Sequence, residues 1–461
     1  VQRVVFCFYT NDHEVNLGIG FMSAALRQKG IETDLVIYRD VMGKAIDTPE
    51  QVISRILAKN PTVVAFSAMT FNWKRIREVI TLLRTSFGGL IIVGGYQGIL
   101  GPEEVLAHPG VDGVCVGEGE LPLIMTVTAY DRDKKGMPSI YGMVFKDQEN
   151  RAAALQMRWL SENLENYPYI DYDIFDREGD QGLRKMHIGV LSPGGIYSLP
   201  VITGRGCPYK CTYCCNSAMI EKYGGLKNYL RKYSPASAVE NIRGIVRKYD
   251  PQLIEFFDET FVRQRSWVKD FCALYEKEIG LPFMIMARID SLDEETVAVL
   301  AGSGLRLVLF GLESGDEEYR MRYLNRKMSD KTIKEGARLL RKYGVMIVTF
   351  NMFGMPFETK ETIEKTFALN AAIEPDAAYS TIFQPLPGTE LARIAYENNM
   401  AIPPPDDRWD LHSPSLDTPE LPASFVMRKL EEFRGRFTNQ QIVENYYGRL
   451  QRLVKPDSRH D

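Results

Sequence analysis

ITGRGCPYKCTYCCNS, residues 202–217, holds four of the chain's seven cysteines. Cys207, Cys211 and Cys214 follow the spacing Cys-x3-Cys-x2-Cys. Three thiolates on one short loop suit three irons of a [4Fe–4S] cluster, whose usual protein ligand is the cysteine thiolate. The fourth iron would then be open to a small molecule. Cysteines bunched in this way read as a metal or redox site before they read as a disulfide framework. A zinc knot is the alternative. Zinc asks for four ligands, and Cys215 supplies a fourth only by crowding Cys214.

Outward from this loop, residues 196–395 alternate strand and helix patterns. Strands are expected at LPVITG (199–204), LIEFFD (253–258), FMIMAR (283–288), RLVLFG (306–311), MIVTFNMF (346–353) and AAYSTIF (377–383). Helices are expected over 236–249, 266–278, 293–302, 330–343 and 360–373, with Ser291-Leu292-Asp293-Glu294 as a capping box. Six such units are too few for a closed eight-stranded barrel.

Residues 1–130 alternate in the same way and predict a second α/β unit. Its apolar runs are RVVFCFY (3–9), TDLVIY (33–38), TVVAFSA (62–68), LIIVGG (90–95) and VDGVCVG (111–117). Helical patterns separate them at 17–29, 49–59, 74–85 and 102–107. Leu17, Phe21, Ala25 and Lys29 step by four and Gly30 marks a stop. Continuous apolar strands joined by helices predict a doubly wound parallel sheet, which binds ligands at the carboxyl ends of its strands. Residues 131–195 show little periodicity and read as a linker with some wrapping structure. The tail, 396–461, reads as mostly helical and capping.

In spacing and setting the cysteine loop resembles the radical S-adenosylmethionine (SAM) superfamily, and the runs after the later strands extend the likeness. The resemblance implies an open, partial (β/α)6 barrel in which the free iron chelates SAM. Tyr213 matches the aromatic position near adenine. Asp258 and Glu259, in FFDET (256–260), stand where relatives contact the amino group of SAM. Arg288, in MARID (286–290), matches a carboxylate partner. Glu313 and Ser314, in FGLESGDEEYR (310–320), match positions used on ribose or carboxylate. Gly354 opens the Gly354-Met355-Pro356 turn that approaches adenine, and QPLPGTEL (384–391) resembles the signature after the sixth strand. Taken singly, each also has an ordinary reading, since a carboxylate after a strand is often a helix cap and Gly-x-Pro often a turn.

VGGYQGILGPEEVLAHPGVDGVCVGEGE (93–120) resembles the Rossmann-like cobalamin-binding domain attached to many radical SAM enzymes. The resemblance implies cobalamin contacts from Gly94, Gly95, Tyr96, Gln97, Gly117, Glu118 and Gly119. Relatives commonly have Pro-His where this chain has Tyr96-Gln97. Ser67, at the end of the third strand run, and Thr70, Phe71 and Trp73 in the loop beyond it would lie under the corrin. Trp73 reads equally as a core anchor of the next helix. NDHEVNLG (11–18) lacks the Asp-x-His-x-x-Gly motif of other cobalamin enzymes, so His13 is an exposed loop residue in this reading.

With 461 residues, 45% hydrophobic, the chain is long enough for two or three domains. A formal net charge of −4 argues against binding nucleic acid by phosphate neutralisation. No run approaches the roughly eighteen apolar residues of a membrane span, and VQRVVFCFYT lacks the layout of a signal peptide. Cys7 and Cys115 sit in apolar runs and Cys272 on a helix, all as core residues. A cytoplasmic, oxygen-sensitive enzyme is the expectation. The resemblance implies a [4Fe–4S] cluster, SAM and cobalamin as cofactors, a small-molecule substrate, and an external electron donor of flavodoxin or ferredoxin type. It implies methylation of an unactivated carbon. A cyclisation such as that of the anaerobic Mg-protoporphyrin ester cyclases, and a non-catalytic cobalamin- or SAM-binding regulator, are the other readings. Methylthiotransferases need a second cysteine set, and Cys7, Cys115, Cys215 and Cys272 are too scattered for one.

Overall fold

A computed structural model describes residues 2–10, 15–41, 44–130, 136–146, 163–176, 195–402 and 411–454. Two compact units emerge: Val1–Ile188 with Ile220–Asn228 and Asp406–Trp409, and Gly189–Met219 with Tyr229–Pro405 and Asp410–Asp461.

The first unit is built on a seven-stranded sheet of β1 (Arg3–Thr10), β2 (Glu32–Val41), β3 (Lys44–Ala45), β4 (Val63–Ser67), β5 (Leu90–Gly94), β6 (Gly113–Cys115) and β7 (Met143–Phe145). Their order is β3-β2-β1-β4-β5-β6-β7. The chain leaves β1 toward β2 on one side and returns to β4 on the other, so a crevice opens at the carboxyl ends of β1 and β4. Val4, Val5, Phe6 and Cys7 are all buried, as a central strand covered on both faces requires. The helix Trp73–Arg84 buries Trp73, Ile76, Val79, Ile80 and Leu83 along one stripe. Residues expected as linker join this unit: β7 pairs antiparallel with β6, and Ser23 Oγ donates to Asp171 Oδ2 at 2.7 Å.

In the second unit β8 (Ser198–Val201), β11 (Leu253–Phe256), β12 (Phe283–Met286), β13 (Leu305–Glu313), β14 (Met346–Phe353) and β15 (Ala377–Ile382) form an open sheet. Every pairing is parallel, in the order β15-β14-β13-β12-β11-β8. This is the expected six-stranded partial barrel. A two-stranded ribbon, β9 (Gly204–Arg205) with β10 (Arg231–Lys232), brackets the segment that carries the cysteines.

Alternate residues of the strands face inward. Leu253, Met284, Leu307, Leu309, Met346, Val348 and Ala377 pack there against Tyr446, Leu450 and Val454 of the tail helix Gln440–Val454. The second tail helix, Ala423–Phe437, lays Val426, Leu430 and Phe433 on Phe353, Ile363, Phe367 and Ile382. Both helices present residues at i, i+4 and i+7 or i+8, the spacing of one helical face. The tail is therefore part of the barrel's core.

The expected capping box at Ser291 is not formed. Asp293 caps the helix Glu294–Gly302 by accepting from Thr296 N, and Ser291 lies in a short 3-10 turn with its hydroxyl donating to Arg288 O. Ser291 stands two residues before the N-cap position, whereas Asp293 is adjacent to the first free N–H groups.

Candidate cluster and cofactor sites

The cysteine loop leaves β8 through a turn that only glycine accommodates. Gly206 has φ +88, and a Cβ there would sit 2.5 Å from the carbonyl oxygen of Tyr229. Cys211 is buried and Cys207 and Cys214 are half-buried. Two guanidinium groups approach one sulfur: Arg326 Nη1 lies 3.7 Å and Arg288 Nη1 3.9 Å from Cys211 Sγ. Burial pushes the Cys207 thiol up to about 11. Cys214 moves the other way, chiefly because the Cys215 thiol donates to its sulfur. Cys215 opens the helix Cys215–Lys222 that follows the loop.

Among the described residues, no three His, Cys, Asp or Glu side chains converge on a single ion. The donor set, three sulfurs on one loop with cationic groups beside them, fits the cluster.

The carboxylates expected after β11 divide. Asp258 turns inward: Thr203 N and Thr203 Oγ1 donate to its two oxygens at 2.9 and 2.7 Å, and Lys232 Nζ stands 3.8 Å away. Burial pushes Asp258 up, opposed by Lys232 and the Thr203 bonds. It depresses the Lys232 ammonium to about 8. Glu259 faces outward and is reached by solvent, yet protein walls it in closely enough to push its carboxyl up to about 7. Of the pair, Glu259 is the one exposed to solvent and Asp258 the one buried.

Arg288 stacks on the Tyr209 ring at 3.9 Å, and its planar fork is closed on Asp290 at 2.9 and 2.7 Å. Glu313 ends β13 in a left-handed conformation, φ +68, and is linked back to the cysteine loop. Arg326 Nη1 donates to Tyr213 Oη at 2.9 Å, and Tyr213 Oη donates to Glu313 Oε1 at 2.9 Å. Ser314 is fully buried and its hydroxyl accepts from Asp316 N. Gly354 opens the turn after β14 with φ +74, and Glu358 Oε2 accepts from both Gly354 N and Met355 N. Arg326, Thr203, Lys232 and Glu358 escaped the sequence reading. Each acts on residues distant in sequence or through backbone groups, where no spacing rule applies.

At the carboxyl edge of the first sheet, Ser67, Phe71, Gly94, Gly95, Tyr96, Gly117, Glu118 and Gly119 form a half-exposed rim. Asn16, another residue the sequence reading passed over, donates from Nδ2 to Ser67 Oγ at 3.1 Å. Behind the rim a polar chain runs from the buried Thr70 and Gln97 to the exposed Glu104. Thr70 Oγ1 donates to Gln97 Oε1 at 3.1 Å, Gln97 Nε2 to Glu104 Oε2 at 2.8 Å, and Trp73 Nε1 to Glu104 Oε1 at 2.8 Å. Trp73 is 5% exposed and belongs to the buried stripe of its helix. At Gly95, φ is +82 and a Cβ would stand 2.5 Å from Ala68 O, so the turn after β5 closes directly on the turn after β4. This glycine-lined cradle fits a bulky ligand held by close backbone approach. His13, Trp409 and Asp410 lie outside the described residues.

Residues 201–369 match the model of the radical SAM superfamily, and residues 7–124 match that of the B12-binding domain. Together they span more than half of the chain. The chain belongs to the cobalamin-binding radical SAM superfamily. It is an enzyme of the radical SAM class, with a cobalamin-binding domain. It is 24% identical to an uncharacterized methyltransferase of Pyrococcus horikoshii, over 84% of this chain and 79% of that one. It is 22% identical to the anaerobic magnesium-protoporphyrin IX monomethyl ester cyclase of Rubrivivax gelatinosus, over 81% of this chain but only 65% of the cyclase. The structure of the radical SAM methyltransferase TsrM from Kitasatospora setae, with cobalamin and a [4Fe–4S] cluster bound, superposes with a TM-score of 0.66. That alignment has 16% identity and covers 100% of this chain and 92% of TsrM. The likeness to TsrM is one of fold.

Proposed function

We propose that this enzyme methylates an unactivated carbon of a small molecule, using a [4Fe–4S] cluster, SAM and cobalamin. The observation that carries the reading is the three-cysteine loop with two buried guanidiniums on the Cys211 sulfur, in one chain with a glycine-lined, B12-type sheet edge. Methyltransferase relatives, among them the one from Pyrococcus horikoshii, support the outcome.

When bound, SAM cleaved reductively at the cluster supplies a 5′-deoxyadenosyl radical, and methylcobalamin supplies the methyl group. The chain's own residues bind and orient. Cys207, Cys211 and Cys214 would hold the cluster, with the guanidiniums of Arg288 and Arg326 beside the Cys211 sulfur. Glu259 offers an ionisable carboxylate for the SAM ammonium. Glu313, held at Oε1 by Tyr213, would offer its carboxyl to the ribose hydroxyls. Gly354 and Met355, fixed by Glu358, present backbone to adenine. An external low-potential electron donor of flavodoxin or ferredoxin type supplies the electron. Ser67, Phe71, Gly94, Gly95, Tyr96, Gly117, Glu118 and Gly119 would border the cobalamin, with Thr70, Gln97 and Trp73 bracing that rim from behind.

The cyclase relatives favour a second reading, ring closure without net methylation. Anaerobic protein prepared with cobalamin tests both. We expect about four irons, one cobalamin, and dithionite-driven formation of 5′-deoxyadenosine from SAM. Substrate screening by mass then decides between the two, because methylation adds one methyl group and cyclisation does not. Cluster and cleavage without cobalamin would overturn the assignment of the first unit.

A further inference from the structure

A short strap, Tyr323 to Arg326, lies across the cysteine loop. Thr212 Oγ1 donates to Tyr323 O at 2.6 Å and Thr212 N to Leu324 O at 3.3 Å. Asn325 Nδ2 donates to Lys210 O at 2.8 Å. Arg326 Nη1 reaches both Tyr213 Oη, at 2.9 Å, and Cys211 Sγ, at 3.7 Å. Four consecutive residues thus fasten four consecutive residues of the loop. Asn325 holds φ +50, a left-handed conformation that asparagine tolerates better than most residues.

Arg326 is the unusual member. It is 5% exposed, Nη2 is anchored on Gly311 O, and Nε is buried without a hydrogen-bond partner. A buried, unpaired N–H is a cost to the fold and asks for an explanation. Arg320, six residues earlier, shows what a purely structural arginine looks like here: it is fully buried and bonds Ser314 O, Met328 O and Asp330. Arg326 instead places one of its donors on a cluster ligand, opposite Arg288 on the same sulfur. Among the described residues no guanidinium reaches Cys207 or Cys214 at hydrogen-bond distance, so the cationic contacts are concentrated on one of three ligands.

We infer that Arg326 is a positioning residue that sets the cluster's reduction potential, with Tyr323 to Asn325 as the clamp that fixes the loop around it. The inference rests on the reading that the three cysteines hold a [4Fe–4S] cluster. One-electron reduction, with the electron taken from an external low-potential donor, adds one negative charge to the cluster. A guanidinium N–H directed at a ligand sulfur, in a site with little water, favours the state with the added charge. No bond is made or broken in the protein. Removing Arg326 should therefore make the cluster harder to reduce, while loosening the clamp alone should affect how firmly the cluster is held.

The test is a redox titration of the reconstituted protein, followed by EPR of the reduced cluster without SAM, on wild type, Arg326→Met, Arg326→Lys and Asn325→Ala. The expected result for Arg326→Met is roughly tenfold less reduced cluster at a fixed potential, a midpoint about 59 mV more negative for a one-electron couple. Arg326→Lys, which keeps charge but not the planar fork, should fall between. Asn325→Ala should lose iron faster to a chelator at an unchanged midpoint. An Arg326→Met protein with full iron content and the wild-type midpoint overturns the inference. If that variant assembles no cluster, Arg326→Gln removes the charge but keeps a side-chain amide at the site, and an unchanged midpoint there overturns it equally. Failure of the wild type to form any [4Fe–4S] chromophore would instead remove the cluster reading itself.

Discussion

The two units end their strands in opposite chemistry. At the edge of the first sheet the contacts are mostly backbone and neutral groups, namely glycines, the Asn16–Ser67 pair and the Thr70–Gln97 hydrogen bond, with Glu104 and Glu118 as the carboxylates. At the edge of the barrel the contacts are charges in a confined space: Arg288, Arg326, Glu259, Glu313 and the Asp258–Lys232 pair. A cradle made by close backbone approach selects by shape and tolerates little added volume. One made by buried charges selects by ionic complement and responds to pH. The two edges should therefore break differently, one by a methyl group and the other by loss of a charge.

Deleting a ligand is the largest break. Cys211→Ala should remove essentially all cluster iron and abolish dithionite-driven SAM cleavage, while cobalamin content stays at the wild-type level. Iron and cobalamin assays on one preparation check this. Parallel loss of both cofactors would mean that the variant has unfolded or that the units do not hold their ligands separately.

The converse break is Gly95→Ala. The added Cβ falls 2.5 Å from Ala68 O at a φ of +82. Strain and overcrowding together should cost about 2–4 kcal/mol in the first unit. Cobalamin retention should fall sharply and cluster iron should not. A variant that binds cobalamin normally would show that the turns after β4 and β5 are free to move apart, against the shape-based reading.

Glu259 sharpens the electrostatic half. Its carboxyl, pushed up to about 7 by the surrounding protein, is protonated below that pH and ionised above it. The folded state then holds a proton that the unfolded chain has already released, so this group's contribution to stability declines between the ordinary carboxylate range and about 7. A cationic ligand group prefers the ionised form. SAM affinity should fall about tenfold from pH 8 to pH 6 as that form is depleted, and Glu259→Gln should flatten the profile. An unchanged slope in the variant would assign the pH dependence to another group.

How much of this was legible in the sequence follows the range of the interactions. The strands were legible because each is a continuous apolar run, and β11, expected over 253–258, forms over Leu253–Phe256. The cysteines were legible because three ligands of one cluster must fit within one short loop, so the constraint is local. β7, the three residues Met143–Phe145, was missed because three residues carry no period. Ser291 was taken for a cap because its spacing to Glu294 is correct, but spacing cannot tell which of two side chains sits beside the first free N–H groups. Arg326 had no local signal at all. Its role depends on a sulfur 115 residues away in the chain.

Trp73 is where the sequence left two readings equal, and it supplies the smallest test. Its indole N–H donates to Glu104 at 2.8 Å, and the same carboxylate accepts from Gln97 at 2.8 Å. Glu104 thus ties the start of the helix Trp73–Arg84 to the short helix Gly95–Leu100 after β5, behind the rim of the cradle. Trp73→Phe keeps most of the buried ring and removes one donor from a carboxylate that retains another. The expected cost is about 1–2 kcal/mol, read as a lower melting temperature, with cobalamin content unchanged. A fall in cobalamin at an unchanged melting temperature would mean the ring meets the ligand after all. That outcome would move an aromatic face into the cradle and weaken the claim that its edge works through backbone and neutral polar groups.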